Sequence, residues 1–208
     1  MNEQAQKPLA RIAFAAAVFI ASAAAAHASY VVTIEQSGNN VVALGSGTFN
    51  ITDLDFIGNG SGSGEVSAIQ SGQDFLNIGD PTAPFSEYYG LNGPGAFGSN
   101  STAVDADSAT GDVVSLQQGV FLVVPAGYVS GATLSSSSTF DDTTLAALGL
   151  TPGQSYTWTW GAGNSADSFT IDIADTTAAT PEPFSLALVG TGLALAEGMR
   201  RRRIQRQS

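Results

Sequence analysis

The chain has no cysteine, and almost all of it has no cation. Without cysteine an exported version of it has no disulfide framework, and its stability must come from an ordinary packed core. Lys7 and Arg11 lie at the front and the other five arginines at the back. Between Arg11 and Arg200 there is no Lys or Arg, while residues 29–180 hold fifteen Asp and Glu. So acidic a segment repels phosphate backbones and anionic lipid surfaces, which excludes nucleic acid as a partner. The only histidine is His27. A mature domain beyond it lacks His, Cys, Lys and Arg. That excludes Ser-His-Asp and Cys-His catalysis, Schiff-base lysines and His-ligated zinc.

The two ends carry the apolar runs. Lys7 and Arg11 precede a mostly apolar stretch from Ile12 to Ala26. Ala26-His27-Ala28 then supplies the small-x-small pattern of a secretory cleavage site, which places the mature start at Ser29. Residues 1–28 are therefore expected to be a signal peptide, removed by signal peptidase. At the other end Pro181-Glu182-Pro183 precedes an apolar run from Phe184 to Ala196, followed by Arg200, Arg201, Arg202 and Arg203. Thirteen residues give roughly 20 Å of helix at 1.5 Å per residue, short of a bilayer core of about 30 Å. Extension through Met199 helps if Glu197 snorkels and pairs with Arg201. The arginines mark the cytoplasmic stop, which puts the domain outside. The two prolines keep the motif extended and accessible.

These three parts at the extreme C-terminus resemble the PEP-CTERM protein-sorting signal. The resemblance covers roughly residues 180–203. It implies recognition near Pro181–Pro183 by an exosortase, a membrane-embedded cysteine transpeptidase-like enzyme of bacteria that make extracellular polysaccharide. Transient inner-membrane anchoring would be followed by release or attachment at the cell surface. Glu197 departs from the family's apolar helix. The same tail is also grouped under an ice-binding protein C-terminal domain label, which says nothing about the body of this chain. The implied organisation is signal peptide 1–28, exported β-rich domain 29–175, spacer 176–180, sorting signal 181–203 and tail 204–208.

Within the exported part the signals are short strands separated by turn residues. Tyr30–Ile34, Val41–Leu44, Thr48–Thr52, Glu65–Ile69, Phe75–Ile78, Asp112–Leu116, Val120–Val124 and Tyr128–Leu134 read as strands. Tyr156–Trp160 and Ser168–Ile173 alternate most clearly and flank the turn residues Gly161-Ala162-Gly163-Asn164. Thr143–Leu148 reads as one helical turn, and residues 79–111 as a long irregular loop. The fold expectation is all-β, an antiparallel β-sandwich or jelly-roll-like domain between an N-terminal signal helix and a C-terminal transmembrane helix. The opening and closing stretches also resemble uncharacterised exported members of the same sorting family, which adds only a fold expectation.

The functional expectation is a non-enzymatic cell-surface or extracellular-matrix protein with no required cofactor. The alternative is a carbohydrate-binding module associated with extracellular polysaccharide. There Tyr156, Trp158 and Trp160 form a stacking face; the competing reading of that stripe is core. A third reading is a carboxylate-based glycoside hydrolase, with Asp53, Asp55, Asp105, Asp107, Asp141 and Asp142 as candidates. Asp105, Asp107 and Asp112 cluster in sequence as hard oxygen ligands for Ca²⁺, although the spacing is not that of an EF-hand.

Overall fold

The computed structural model describes residues 29–62 and 66–175. The signal cleavage residues Ala26 and Ala28, the spacer, Pro181-Glu182-Pro183, the apolar run and the arginine cluster lie outside the described residues. Among the described residues thirteen strands follow one another. They are β1 (Ser29–Ser37), β2 (Asn40–Gly47), β3 (Asp55–Ser61), β4 (Ala68–Gln70), β5 (Phe75–Ile78), β6 (Pro84–Tyr89) and β7 (Val104–Asp105). After them come β8 (Ser108–Gly111), β9 (Val114–Gln117), β10 (Phe121–Pro125), β11 (Leu134–Phe140), β12 (Ser155–Trp160) and β13 (Asp167–Ile173). Helical structure among the described residues is limited to 3₁₀ turns at Ser71–Gln73 and Gly163–Ser165. No described helix is long and apolar enough to cross a membrane.

The strands form two sheets. One runs in the order β12-β13-β1-β2-β11-β8, the other β3-β6-β10-β9-β5-β4-β7. Alternation builds the first: along β13 every second residue from Asp167 to Ile173 is buried, as period-2 side-chain placement requires, whereas β5, β9 and β10 of the second bury consecutive residues. Both sheets contribute to one core, with Tyr30, Val32, Ile34, Phe169 and Ile171 from the first and Ile69, Leu76, Ile78, Leu116 and Leu122 from the second. Phe49 stacks on Phe169 with ring centres 6.0 Å apart and also meets Tyr30 at 4.9 Å. Where the main chain runs close to a neighbour, glycine is obligatory. A Cβ on Gly45 would lie 2.1 Å from the Tyr30 hydroxyl, which donates to Ser136 Oγ at 2.8 Å.

Several expectations change. The sheets are not wholly antiparallel, because β1 pairs with β13 in parallel from Ser29↔Ser168 to Ile34↔Ile173. The first and last strands thus lie side by side near the middle of one sheet. Thr48–Thr52 is not a strand. Phe49 plugs the core from irregular chain instead, its backbone N–H donating to the Tyr128 hydroxyl at 2.7 Å. Tyr128–Leu134 is mostly turn, and the strand begins where that span ends, at Leu134. Residues 79–111 are not one loop, since β6, β7 and β8 lie within them. Thr143–Leu148 makes a single turn closed by the Leu148 N–H on the Thr144 carbonyl at 3.1 Å.

Candidate functional site

A cleft of about 440 Å³ opens where three loops meet, lined by Gln70, Gly72, Gln73, Asp74, Phe75, Gly95 and Gln118. Its base comes from the turn joining β4 to β5. The 3₁₀ turn Ser71–Gln73 ends on Asp74, whose φ of 50° and ψ of 43° place it in the left-handed region. Ser71 anchors the turn, its hydroxyl donating to the Leu148 carbonyl at 2.7 Å. The Gly72 N–H donates to the Asn100 carbonyl at 2.8 Å. One wall is the β9–β10 turn, Gln118-Gly119, with φ of 52° and 67°. Two-residue hairpin turns of this hand favour Asn-Gly, because a bulkier first residue is strained at positive φ. The other wall is the segment around Gly95. It is pinned by the Phe97 N–H on the Ser71 carbonyl at 3.1 Å and by the Asn92–Thr159 bridge to β12.

Asp74 is the unusual group. It is 1 % exposed, and neither carboxylate oxygen has a hydrogen-bond partner. Burial pushes its pKa up to about 6, while the Trp158 indole N–H beside it pulls in the opposite direction. That N–H makes its own hydrogen bond to the Pro94 carbonyl at 3.1 Å. Gly119 closes over the acid, because a Cβ there would stand 2.5 Å from Asp74 Oδ2. A lone carboxyl poised near neutrality can accept or donate a hydrogen bond. No second carboxylate lines this cleft, so it lacks the acid–base pair of a glycosidase.

A second, more open depression is lined by Gln36, Gly38, Asn39, Asp142, Thr143 and Thr144. Its central group is already spent. The Gln36 amide donates to the Gly38, Asn40 and Thr143 carbonyls, and its oxygen accepts the Leu145 N–H at 3.1 Å. That side chain is a clamp between β1 and the 143–145 segment.

The sequence-derived sites fare differently. Ser29 is the first residue of β1. Trp158 and Trp160 are core residues, 0 % and 5 % exposed, with their indole N–H groups on the Pro94 and Asn50 carbonyls. Tyr156, half-buried, packs against the same cluster and meets Phe97 edge-on. A sugar-stacking platform needs open ring faces, so the Tyr156/Trp158/Trp160 stripe is not one; alternation points it into the domain.

Asp105, Asp107 and Asp112 are also not gathered into a Ca²⁺ site. Asp105 lies in β7. Asp107 accepts the Asp141 N–H at 2.7 Å, and Asp112 accepts the Ser135 N–H at 2.8 Å. Strand β8 separates the latter two, and no cluster of three metal-binding side chains occurs among the described residues. Asp53 is taken by the Ser165 hydroxyl, and Asp141 accepts from the Asn40 amide at 2.6 Å.

Asp74, Gln73 and Gln118 were missed by sequence reasoning. The one signal that pointed to them is Gln118-Gly119, a glutamine where turn geometry favours asparagine. No protein family, no curated protein and no solved structure matches this chain.

Proposed function

We propose that this chain is an exported, non-enzymatic protein of the cell surface or extracellular matrix, a two-sheet sandwich of jelly-roll kind delivered by its terminal signals. One observation supports the reading: neither processing point read from sequence falls inside the described sheets. Strand β13 closes at Ile173, just before the expected spacer, and β1 already includes Ser29. Because β1 pairs with β13, residues near both junctions are built into one sheet. Trimming at Ala28 and around Pro181–Pro183 would leave every described strand intact.

In this reading the Pro-Glu-Pro motif, apolar run and arginines act as a PEP-CTERM-type sorting signal. Signal peptidase and an exosortase are the processing partners, and the tail holds the chain in the inner membrane until it is cut. N-terminal sequencing of protein from the surface and medium tests it. A start at Ser29 is expected; cytoplasmic protein keeping residues 1–28 would sink it.

A second reading, carbohydrate binding, is favoured by the Asp74 cleft rather than by the aromatic stripe. Its glutamines, carboxyl and Phe75 ring are side chains suited to hydroxyl groups and a sugar face.

A further inference from the structure

The geometry points to the Gln70/Gln73/Asp74/Phe75/Gln118 cleft as a binding site for an uncharged saccharide unit, which takes hydrogen bonds from the two outer glutamines and donates one to the buried acid. The inference rests on the carbohydrate-binding reading and names where and what class of sugar.

Four observations converge. First, the cleft volume of about 440 Å³ lies in the size range of small-molecule sites. Second, Asp74 is a buried acid with two partnerless oxygens at the base of the cleft. Natural folds leave few such groups, because a buried acceptor without a donor costs stability. A ligand hydroxyl that reaches it past the Gln118-Gly119 turn, which covers it here, supplies the missing donor. Third, Gln118 holds a left-handed backbone conformation that side chains other than Gly, Asn and Asp disfavour. Strain of this kind concentrates where a side chain must be aimed. Asparagine at 118 would relieve the turn but shorten the reach over the cleft. Fourth, the lining holds no cation, and no Lys, Arg or His occurs between residues 29 and 180. Fifteen acids over that span leave nothing to neutralise a uronate, sulfate or phosphate. An anionic sugar is therefore excluded, and the amides at the rim suit the hydroxyls of an uncharged one. Gln70 is partly committed, its amide donating to the Ser101 carbonyl, which leaves Gln73 and Gln118 as the free amides at the rim.

The test uses the full chain, purified in a polyoxyethylene detergent so that no alkyl glycoside competes. Cellotetraose, maltotetraose and chitotetraose serve as neutral probes and tetragalacturonate as the anionic one, with Kd read by saturation-transfer NMR. At least one neutral probe is expected to bind, about tenfold or more tighter than the uronate. Gln118→Asn and Gln73→Ala are each expected to weaken it about tenfold, the size of one lost hydrogen bond to a polar ligand. Gln118→Asn suits the turn at least as well as glutamine, so lost binding there is not lost folding; an unchanged thermal midpoint confirms it.

Absence of binding by all three neutral probes overturns the proposal. So does equal binding by both variants, tighter binding of the uronate, or Ca²⁺ perturbing the Asp74 resonances where sugars do not. These outcomes leave the export reading untouched, since that reading stands on the cleavage and sorting motifs of the two terminal segments. Sugar binding by protein that still carries residues 1–28 would instead sink export alone.

Discussion

Replacing Asp74 by asparagine should stabilise this protein at neutral pH, and the gain should fade in acid. In the folded state burial holds the carboxyl at about 6, against 3.8 for an unhindered aspartate. A raised acid makes the folded state the better proton binder. Its penalty is therefore absent below about pH 4, grows as pH rises from about 4 to 6, and is constant above that. At 1.36 kcal/mol per pKa unit the difference from 3.8 to about 6 corresponds to about 3 kcal/mol. The surroundings of a buried group respond more strongly than a dry low-dielectric medium, so about 2 kcal/mol is the expected gain. Asparagine keeps the shape, tolerates the left-handed backbone and carries no charge. The assay is urea unfolding followed by tryptophan emission at pH 4, 5, 6 and 7.5. Wild type minus Asp74→Asn removes every other titrating group from the comparison, including Asp80, whose acidity shifts the opposite way through its hydrogen bonds to Thr82. A gain of the same size at all four pH values, or a loss at pH 7.5, would refute the reasoning. If the cleft also binds sugar, the same substitution weakens that binding, the familiar exchange between stability and a working site.

Other consequences are as direct. Gly45→Ala forces a methyl against the Tyr30 hydroxyl and Ile78, and should cost about 2 kcal/mol or more, read as a shifted urea midpoint. Both tryptophans being covered, iodide should leave their emission nearly unquenched until the protein unfolds; strong quenching of the native protein would put Trp158 or Trp160 at the surface. Adding Ca²⁺ or EDTA should move the thermal midpoint by less than about 1 °C, since a site bound only by scattered carboxylates contributes little through mass action. Tyr30→Phe should cost about 1 kcal/mol for the lost bond to Ser136, whose hydroxyl keeps its bond to the Asp112 carbonyl.

Strand alternation made the β12–β13 hairpin legible, since apolar and polar residues change places at every step, and the β1–β2 pair showed through its β-rich runs Tyr30–Ile34 and Val41–Leu44. Strand β11, Leu-Ser-Ser-Ser-Ser-Thr-Phe, stayed hidden because serine fills both faces. Ser136 and Ser138 are buried yet carry no apolar signal. β6 opens with Pro84 in a Gly- and Pro-rich region and reads as loop, although its pairing on β3 and β10 is regular apart from one bulge near Ile57. Phe49 and Tyr128 looked like strand residues because aromatic side chains mark burial, and burial here is reached from turns. The parallel β1–β13 pairing joins the two ends of the domain and leaves no local trace. The cleft was hidden for the same reason: Asp74, Gly119 and Trp158 come from separate turns and strands, and nothing in their local sequence announces that they meet.

The account stands or falls on where the processed chain begins and ends, so the intact mass of the protein recovered from its host's surface and medium tests it most directly. A mass running from Ser29 to a point between Thr180 and Pro183, with or without attached glycan, is the predicted result. A mass that retains Met1–Ala28 or Arg200–Ser208 would contradict it.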